Sequence, residues 1–324
     1  MRNIPATIKK GASKQNMSAN MIVFQHNNLI EAKYSLTLQE KKIIMWLVSQ
    51  IQPDNEEFKK HVISLKDLMK LMDLEGESYY SEMKKITFNL VQKGLRIIDI
   101  SSGTEVQLTW LSCAIYDAGT VQLSIHPNLQ PYLLQLKSRF TTINLSDLMQ
   151  FSSIHAIRIY ELLKQHYNTR ERTMSIEYIK RCCGVENKLK QFVHFERYLL
   201  LIAQREINEK SDIYFDFEKI KLGRKIVSIK FIIKENKAYK ERQGSIKKAK
   251  KMKHFLLSFD KLKEYGLSKQ RIEKIIQDNS KEVIQKAIQS VDVQIKKGKV
   301  KNKKAMICAA INERWELGKY ISRQ

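Results

Sequence analysis

The feature of this sequence that most constrains its fold is an internal repeat of a capped amphipathic helix. In both copies a serine precedes the helix, and apolar residues follow at helical spacing. The two sets, related by a constant offset, are Ser64, Leu65, Leu68, Leu71 and Met72, and Ser175, Ile176, Ile179, Cys182 and Cys183. Any two capped amphipathic helices share such spacing, so this match alone favours duplication only weakly. The shared order of the surrounding elements supplies the further support for a duplication.

Around the first copy, the pattern predicts one helix before it and a helix and strands after it. A capping box at Thr37 and Glu40 begins a helix over residues 37–51, and residues 61–63 read as a short strand. A further helix is predicted over about Tyr79–Gln92. Three β-rich runs then predict a three-stranded meander over residues 95–100, 106–116 and 121–125.

The second copy has the same order of elements. Helices are predicted over residues 153–167, after Ser175, and over residues 194–208. A hairpin of residues 213–217 and 226–233 follows, joined by a basic turn over residues 219–225 that contains Gly223. A helix, a capped helix, a second helix and a hairpin define a winged helix-turn-helix, whose last helix enters the major groove while the hairpin lies over the backbone.

The predicted fold class is therefore α+β, with two tandem winged-helix domains and a C-terminal all-helical domain. Helical periodicity in that last domain appears around Ile272, Ile284 and Ile307. The predicted boundaries are a flexible N-terminal arm (1–27), winged-helix domain 1 for dimerisation and DNA binding (28–145), winged-helix domain 2 for DNA binding (146–235), a basic linker (236–254) and a helical domain (255–324).

The charge of the chain indicates a polyanionic partner. Lysine and arginine number 58 against 34 acidic residues, which gives a formal net charge of +24. Nucleic acid is the first candidate, and an anionic membrane is the rival. No run approaches about 18 apolar residues, and residues 1–25 lack the continuous apolar stretch of an export signal. We therefore expect a cytoplasmic protein.

The residues expected to contact DNA are cations, amides and a histidine on the last helix and wing of each module. Donors and acceptors of these types suit base edges and phosphates, although a solvated face is the plainer alternative for each. They are Lys84, Lys85 and Asn89 in the first module, and Lys188, Lys190, Gln191, His194, Arg197, Arg205, Lys221, Arg224 and Lys225 in the second. Lys219 adds to the positive charge of the predicted turn.

Patterns that indicate catalysis are missing. The sequence has no GxxxxGK[ST] phosphate loop, and its seven histidines form no HxH or HExxH pattern. Tyr79 and Tyr80 are more simply helix-surface aromatics than nucleophiles. The four cysteines fit neither a zinc nor a disulfide framework and are expected to be buried free thiols. We expect no enzyme activity, no cofactor and no metal.

Several segments resemble the iteron-binding plasmid replication initiators, the Rep family with two winged helices. They are Asn28-Leu29-Ile30-Glu31-Ala32, Pro131-Tyr132-Leu133-Leu134, Arg158-Ile159-Tyr160-Glu161-Leu162-Leu163, Glu206-Ile207-Asn208, and Gly223-Arg224-Lys225 with Ile229 and Phe231. The resemblance covers about residues 28–234. The segments 265–268 and 298–302, continuing to Trp315, resemble helical extensions of initiators from Gram-positive plasmids. The chain departs from the family in having Glu196 and Tyr198 beside Arg197.

The resemblance implies a plasmid replication initiator. Such a protein binds direct repeats (iterons) in double-stranded origin DNA as a monomer and represses its own gene as a dimer, thereby controlling plasmid copy number. It also recruits host replication proteins, a helicase or its loader. Two rivals remain open from the sequence. One is a tandem winged-helix repressor without initiation activity, and the other is a nicking initiator of rolling-circle replication, which the missing metal cluster disfavours.

Overall fold

The structure of the chain, a computed structural model, describes residues 21–314 except 52–54, 56, 59, 73–78, 100–101, 135, 137, 299 and 301. The side chains of Leu71, Tyr79 and residues 247–256 also lie outside the description, as do Trp315 and residues 1–20 of the predicted arm. The chain divides into two compact units, residues 1–239 and residues 240–324.

The first half of the first unit contains most of the strands. Its elements are β1 (Ile22–His26), α1 (Asn27–Ile30), β2 (Lys33–Tyr34), α2 (Leu38–Ser49), β3 (His61–Ser64), α3 (Leu65–Leu71), α4 (Tyr79–Gln92), β4 (Gly94–Ile98), β5 (Glu105–Thr109), β6 (Leu111–Asp117), β7 (Thr120–Ile125), a 3₁₀ turn (Pro127–Leu129), α5 (Gln130–Leu133), β8 (Phe140–Asn144) and α6 (Leu145–Met149). The predicted capping box is confirmed, because the Thr37 hydroxyl accepts from the Glu40 amide and the Glu40 carboxylate accepts from the Thr37 amide.

The second half of this unit is shorter and more regular. Its elements are α7 (Ile154–Lys164), β9 (Glu171–Ser175), α8 (Ile176–Cys182), α9 (Phe192–Phe195), α10 (Leu201–Lys210), β10 (Ile213–Leu222) and β11 (Lys225–Glu235). A π-helical turn, Glu196–Leu200, joins α9 to α10, so residues 192–210 form one helix. The Ser175 hydroxyl accepts from the Tyr178 amide, 3.1 Å away, which confirms the predicted cap of α8.

The two halves share one topology, and this confirms the tandem winged helices. In the first module β3 pairs with the second strand of the β6–β7 hairpin, giving the sheet order β3-β7-β6. In the second module β9 pairs with the second strand of the β10–β11 hairpin, giving β9-β11-β10. The helix order α2, α3, α4 corresponds to α7, α8 and the helix of residues 192–210. A single buried apolar core runs through both modules.

The predicted three-stranded meander is wrong. Residues 94–125 form four strands, of which β4 and β5 join β2 in one sheet while β6 and β7 join β3 in another. The run over residues 106–116 breaks at Trp110, because Trp110 and Leu111 are both buried. Consecutive residues of a regular strand point to opposite faces. The wing of the first module is therefore the β6–β7 hairpin.

Two boundaries of the sequence analysis also need correction. The predicted N-terminal arm contains β1, which pairs with β8 and buries Val23 in the core. The hairpin strands β10 and β11 are longer than predicted, so Lys219 and Lys221 lie on a strand and the turn shrinks to Gly223 and Arg224. Gly223 has φ +59°, the left-handed backbone that a tight hairpin turn requires.

The second unit is a bundle of helices, as its periodicity predicts. The segment placed as a basic linker, 236–254, is helical instead, because lysine, glutamine and alanine favour a helix even without an apolar stripe. The helices are α11 (Lys237–Glu264), which begins in the first unit, α12 (Lys269–Asp278), α13 (Lys281–Lys296) and α14 (Lys303–Asn312). Ile272, Ile284 and Ile307 are buried in the unit's own core.

Candidate nucleic-acid interface

The second recognition helix, residues 192–210, has one buried side. Phe195, Leu199, Ala203 and Ile207 recur every four residues and are fully buried in the core. Because α-helical residues four apart share a face, this stripe fixes which side of the helix is turned outward. The opposite face is therefore available to a groove of DNA.

That outward face carries three of the predicted contact residues. His194, Arg197 and Arg205 are all exposed. Arg197 lies in the π-helical turn, next to Tyr198, and its guanidinium is 5.5 Å from the Tyr198 ring centroid. The rings of His194 and Tyr198 are 5.9 Å apart. A π turn inserts an extra residue into a helix and is frequent at functional sites. In this helix the π turn contains both Arg197 and Tyr198.

The segment that enters this helix is also basic and exposed. Lys188, Lys190 and Gln191 are solvent-accessible, and Gln191 is the N-cap residue of α9 although its side chain makes no capping bond. Leu189, between the two lysines, has φ +51°. The structure therefore places these three residues beside the N-terminal end of the recognition helix, the end whose residues contact base edges in helix-turn-helix proteins.

The wing contributes Lys221, Arg224 and Lys225, all exposed near the hairpin tip. Lys219 does not belong to this group, because its ammonium bonds Glu196 of the recognition helix at 2.6 Å. The prediction that Lys219 adds to the positive charge of the turn is therefore corrected. Its counter-charge is Glu196, and the bond ties the wing to the helix.

The first module presents a similar but less basic helix. Lys84, Lys85 and Asn89 are exposed on α4, opposite the buried side chains of that helix. The Lys84 ammonium lies 4.9 Å from the Tyr80 ring centroid, and Lys85 is 3.7 Å from the Glu82 carboxylate in an exposed pair. Pairs of this kind contribute little to stability and can exchange for a phosphate contact.

Exposed apolar side chains among these cations were not predicted. Tyr198, Phe88 and Leu222 are 47%, 62% and 75% exposed, on the second recognition helix, on α4 and at the wing tip respectively. Apolar and aromatic side chains of this kind suit thymine methyl groups and sugar edges. Leu222 could have been noticed as an apolar residue beside Gly223 in a basic segment. The outward positions of Tyr198 and Phe88 depend on the helix packing.

The two modules meet in a buried polar cluster. Arg158 of α7 donates to the carbonyl oxygens of Ile30 at 2.9 Å and Ala32 at 3.0 Å in the first module, and to the Cys182 carbonyl at 2.8 Å in the second. It also bonds the Tyr34 hydroxyl and the Glu161 carboxylate. A fully buried guanidinium with this many acceptors is an orienting element rather than a solvated charge.

Lys41 of α2 completes the cluster. Its ammonium lies 2.7 Å from the Glu161 carboxylate and 2.7 Å from the Tyr34 hydroxyl, and the side chains of Lys41 and Glu161 are both fully buried. Burial lowers the pKa of Lys41 to about 8 even though Glu161 opposes that shift. Burial works against the ionised form of Glu161, but the cations of Lys41 and Arg158 hold its pKa below the usual range.

Among the residues that the structure describes, no group of three or more His, Cys, Asp or Glu side chains could hold a metal ion. No described helix is long and apolar enough to cross a membrane. A cleft of about 550 Å³ lies where β2 and β4 face the turn before α9, and its lining includes Lys33, Arg96, Glu186 and Lys188. All four cysteines are free, with Cys182 and Cys183 buried and the other two partly buried.

Two winged helices in one unit, each turning a polar recognition helix outward, define a tandem winged-helix DNA-binding protein. Comparison with known families gives the particular family. Residues 22–164 match the family model described as Initiator Replication protein, WH1, and residues 175–233 match Initiator Rep protein, WH2. The chain belongs to this initiator replication protein family.

Relatives of known name agree with this assignment. The chain is 25% identical over 212 residues to a Replication initiation protein of Escherichia coli, a match covering 62% of this chain and 66% of the relative. It is 28% identical over 180 residues to the PI protein of Escherichia coli, covering 49% and 57% respectively. The matched regions thus span less than two thirds of either relative.

A solved structure shows the same fold. It is the crystal structure of Pi initiator protein in complex with iteron DNA, and the similarity covers 68% of this chain and all of that chain. The TM-score is 0.58 at 21% sequence identity. Sequence identity at this level supports the shared arrangement of winged helices and no finer correspondence of residues.

Proposed function

We propose that this protein initiates replication of a plasmid by binding direct repeats in the double-stranded DNA of its origin. The observation that carries the proposal is the pair of outward recognition helices on two modules of one topology, in a chain of the initiator replication protein family. A related initiator of the same fold was crystallised on iteron DNA. Plasmid DNA lies in the cytoplasm, so the protein acts there.

The finer parts of the proposal concern partners and regulation. A monomer binds the repeats, a homodimer represses the protein's own gene, and the origin-bound protein recruits a host helicase or its loader. The chain itself acts as a binding protein and not as an enzyme. Its exposed cations and amides can bind DNA and position the protein on it.

The proposal is tested by plasmid maintenance. A circle without another origin should persist in a host when it carries this gene with its flanking repeats, and it should be lost when the gene carries Arg197→Glu and Arg205→Glu. A tandem winged-helix repressor would bind the repeats without maintaining the circle. A rolling-circle enzyme would leave nicked plasmid after incubation of the purified protein with magnesium or manganese.

Arg197→Ala should reduce specificity more than general affinity. Arg197 is exposed on the outward face of the second recognition helix, and one base-edge contact is worth about 1–3 kcal/mol of discrimination. Binding to the cognate repeat and to random duplex is compared by fluorescence anisotropy. Arg224→Ala at the wing tip is the control, because loss of a phosphate contact weakens both complexes equally. Equal losses for Arg197→Ala would assign it to a phosphate instead.

Neutralising the wing should flatten the salt dependence of binding. Each phosphate contact contributes about 0.9 to the slope of log K against log salt, so replacing Lys221, Arg224 and Lys225 by alanine lowers it by about 2–3. Lys230→Ala with Lys234→Ala, which removes two of the hairpin's other cations, is the control on β11, because those lysines bond Glu171 and Asp216 within the hairpin sheet. A slope that is the same for the wing variant and wild type would place the wing away from DNA.

A further inference from the structure

The two recognition helices are connected through paired strands and direct contacts between the modules. The helix α4 leads directly into β4, because Lys93 is the single residue between them. The Lys93 ammonium bonds the buried Glu40 carboxylate at 2.7 Å, which anchors this connection to α2. Strand β4 pairs with β2, with Leu95 opposite Tyr34. The orientation of the first recognition helix is therefore transmitted to β2 through a backbone ladder and an ion pair.

Strand β2 in turn touches the second module at the turn between α8 and the recognition helix. Gly184 follows α8 with φ +66°, and a Cβ built at this position would lie 2.5 Å from the Tyr34 carbonyl oxygen. The Lys33 ammonium also bonds the Glu186 carboxylate at 2.5 Å. Only glycine permits this backbone approach, because any side chain would displace β2 from the turn that follows α8.

Arg158 holds the same contact from the buried side. Its guanidinium donates to the Ile30 and Ala32 carbonyls, which lie just before β2. It also donates to the Cys182 carbonyl, two residues before Gly184. One planar, fully buried group therefore joins the backbones of both modules close to the point where they touch. A lysine there would keep the charge but could not reach these acceptors in the same fixed geometry.

We infer that Arg158, together with the close approach at Gly184, sets the number of base pairs between the two half-sites that the protein reads. This inference rests on the proposed binding to origin repeats. Each base pair inserted between half-sites advances the second one by about 3.4 Å and rotates it by about 35° around the duplex. A locked pair of modules cannot follow that displacement, whereas a pair joined by a loose contact can.

The test compares spacing tolerance in the intact chain. Hydroxyl-radical footprinting locates the two half-sites of one repeat, and duplexes are made with natural spacing and with two base pairs inserted between them. Wild type should bind the inserted duplex at least tenfold more weakly than the natural one. Arg158→Lys should bind the natural duplex more weakly than wild type does, and its penalty for the insertion should fall below threefold.

A control on the same helix separates spacing from stability. Lys164 of α7 bonds Asp212 at 2.7 Å within the second module, so Lys164→Met weakens a partly buried contact that does not join the modules. It should keep the tenfold penalty. Folding of every variant is checked by thermal melting, and Tyr34→Phe, which removes one acceptor of Arg158, replaces Arg158→Lys if the latter does not fold.

Two results would overturn the inference while leaving the proposed function intact. One is wild-type binding that tolerates the insertion, and the other is a folded Arg158 or Tyr34 variant that keeps the full penalty. A wild-type chain that fails to bind the natural repeat contradicts the proposed function itself, and this inference with it. A reduced penalty in the variant, with the Lys164→Met penalty unchanged, supports the assignment.

Discussion

Replacing Glu161 by glutamine should lower the free energy of unfolding by about 3–5 kcal/mol, because it leaves two buried cations without the carboxylate between them. Lys41 and Arg158 both bond Glu161, and all three side chains are almost completely buried. Glutamine keeps the shape of the side chain, so the loss reports charge rather than volume. Urea denaturation at pH 7, followed by the fluorescence of the buried Trp46 and Trp110, measures it.

Glu82→Gln is the matched control, since it removes an exposed carboxylate that lies 3.7 Å from Lys85. A change within about 1 kcal/mol is expected there, as for exposed ion pairs in general. If Glu161→Gln lost no more stability than this control, the two buried cations would have to be neutralised by some other group. The charge balance assigned to the cluster would then be wrong.

Lys41→Met should have the opposite effect and stabilise the protein at pH 7. The cluster holds two cations and one carboxylate, and removal of Lys41 leaves the Arg158–Glu161 pair neutral. The lowered pKa of Lys41, about 8, means that the fold disfavours its charged form. Methionine has a similar length and no charge to desolvate. A lower unfolding free energy for Lys41→Met than for wild type would contradict this.

The pH dependence of that difference has a definite sign. Between pH 8 and pH 10 the unfolded chain holds the Lys41 proton and the folded chain releases it, so the stability of wild type rises with pH relative to the variant. The advantage of Lys41→Met is therefore full below pH 8 and shrinks above it. Urea melts of both proteins at pH 7 and pH 9.5 measure the change.

Local signals in the sequence were sufficient for most helices of this fold. The capping box at Thr37 and the serine caps at Ser64 and Ser175 lie within a few residues of the amides they bind, so the sequence pattern records them. The pairing of strands is not local. Residues 106–116 have the composition of one continuous strand, and packing around Trp110 divides them between two sheets.

The junction cluster could not be predicted for a similar reason. Lys41 lies in a helix whose apolar residues suggested an ordinary amphipathic pattern, and lysine is rarely buried without a partner. Arg158 and Glu161 were noticed because they resemble a family segment, but their partners in the first module are more than 100 residues away. The twelve predicted DNA-contacting residues are all exposed, and their contacts with DNA stay predictions.

Charge reversal on the exposed face of either recognition helix should reduce affinity for an intact repeat by about 10²–10⁴-fold, because two linked modules bind far more tightly than either one alone. The first variant is Lys84→Glu with Lys85→Glu, and the second is Arg197→Glu with Arg205→Glu. Truncation between the modules is unsuitable, since it would expose the buried Arg158 and Glu161. Point substitutions on exposed positions keep that junction closed.

The footprint distinguishes a grip by both modules from binding by one. Wild type should protect about two helical turns of each repeat, and each variant should protect only the turn that its unaltered module contacts. Lys274→Glu with Lys281→Glu, exposed in the second unit, makes the same change in net charge and should leave the footprint at full length. If the Lys84 and Lys85 variant kept wild-type affinity and a full footprint, the first module would not read this DNA, and its outward helix would be free for dimerisation instead.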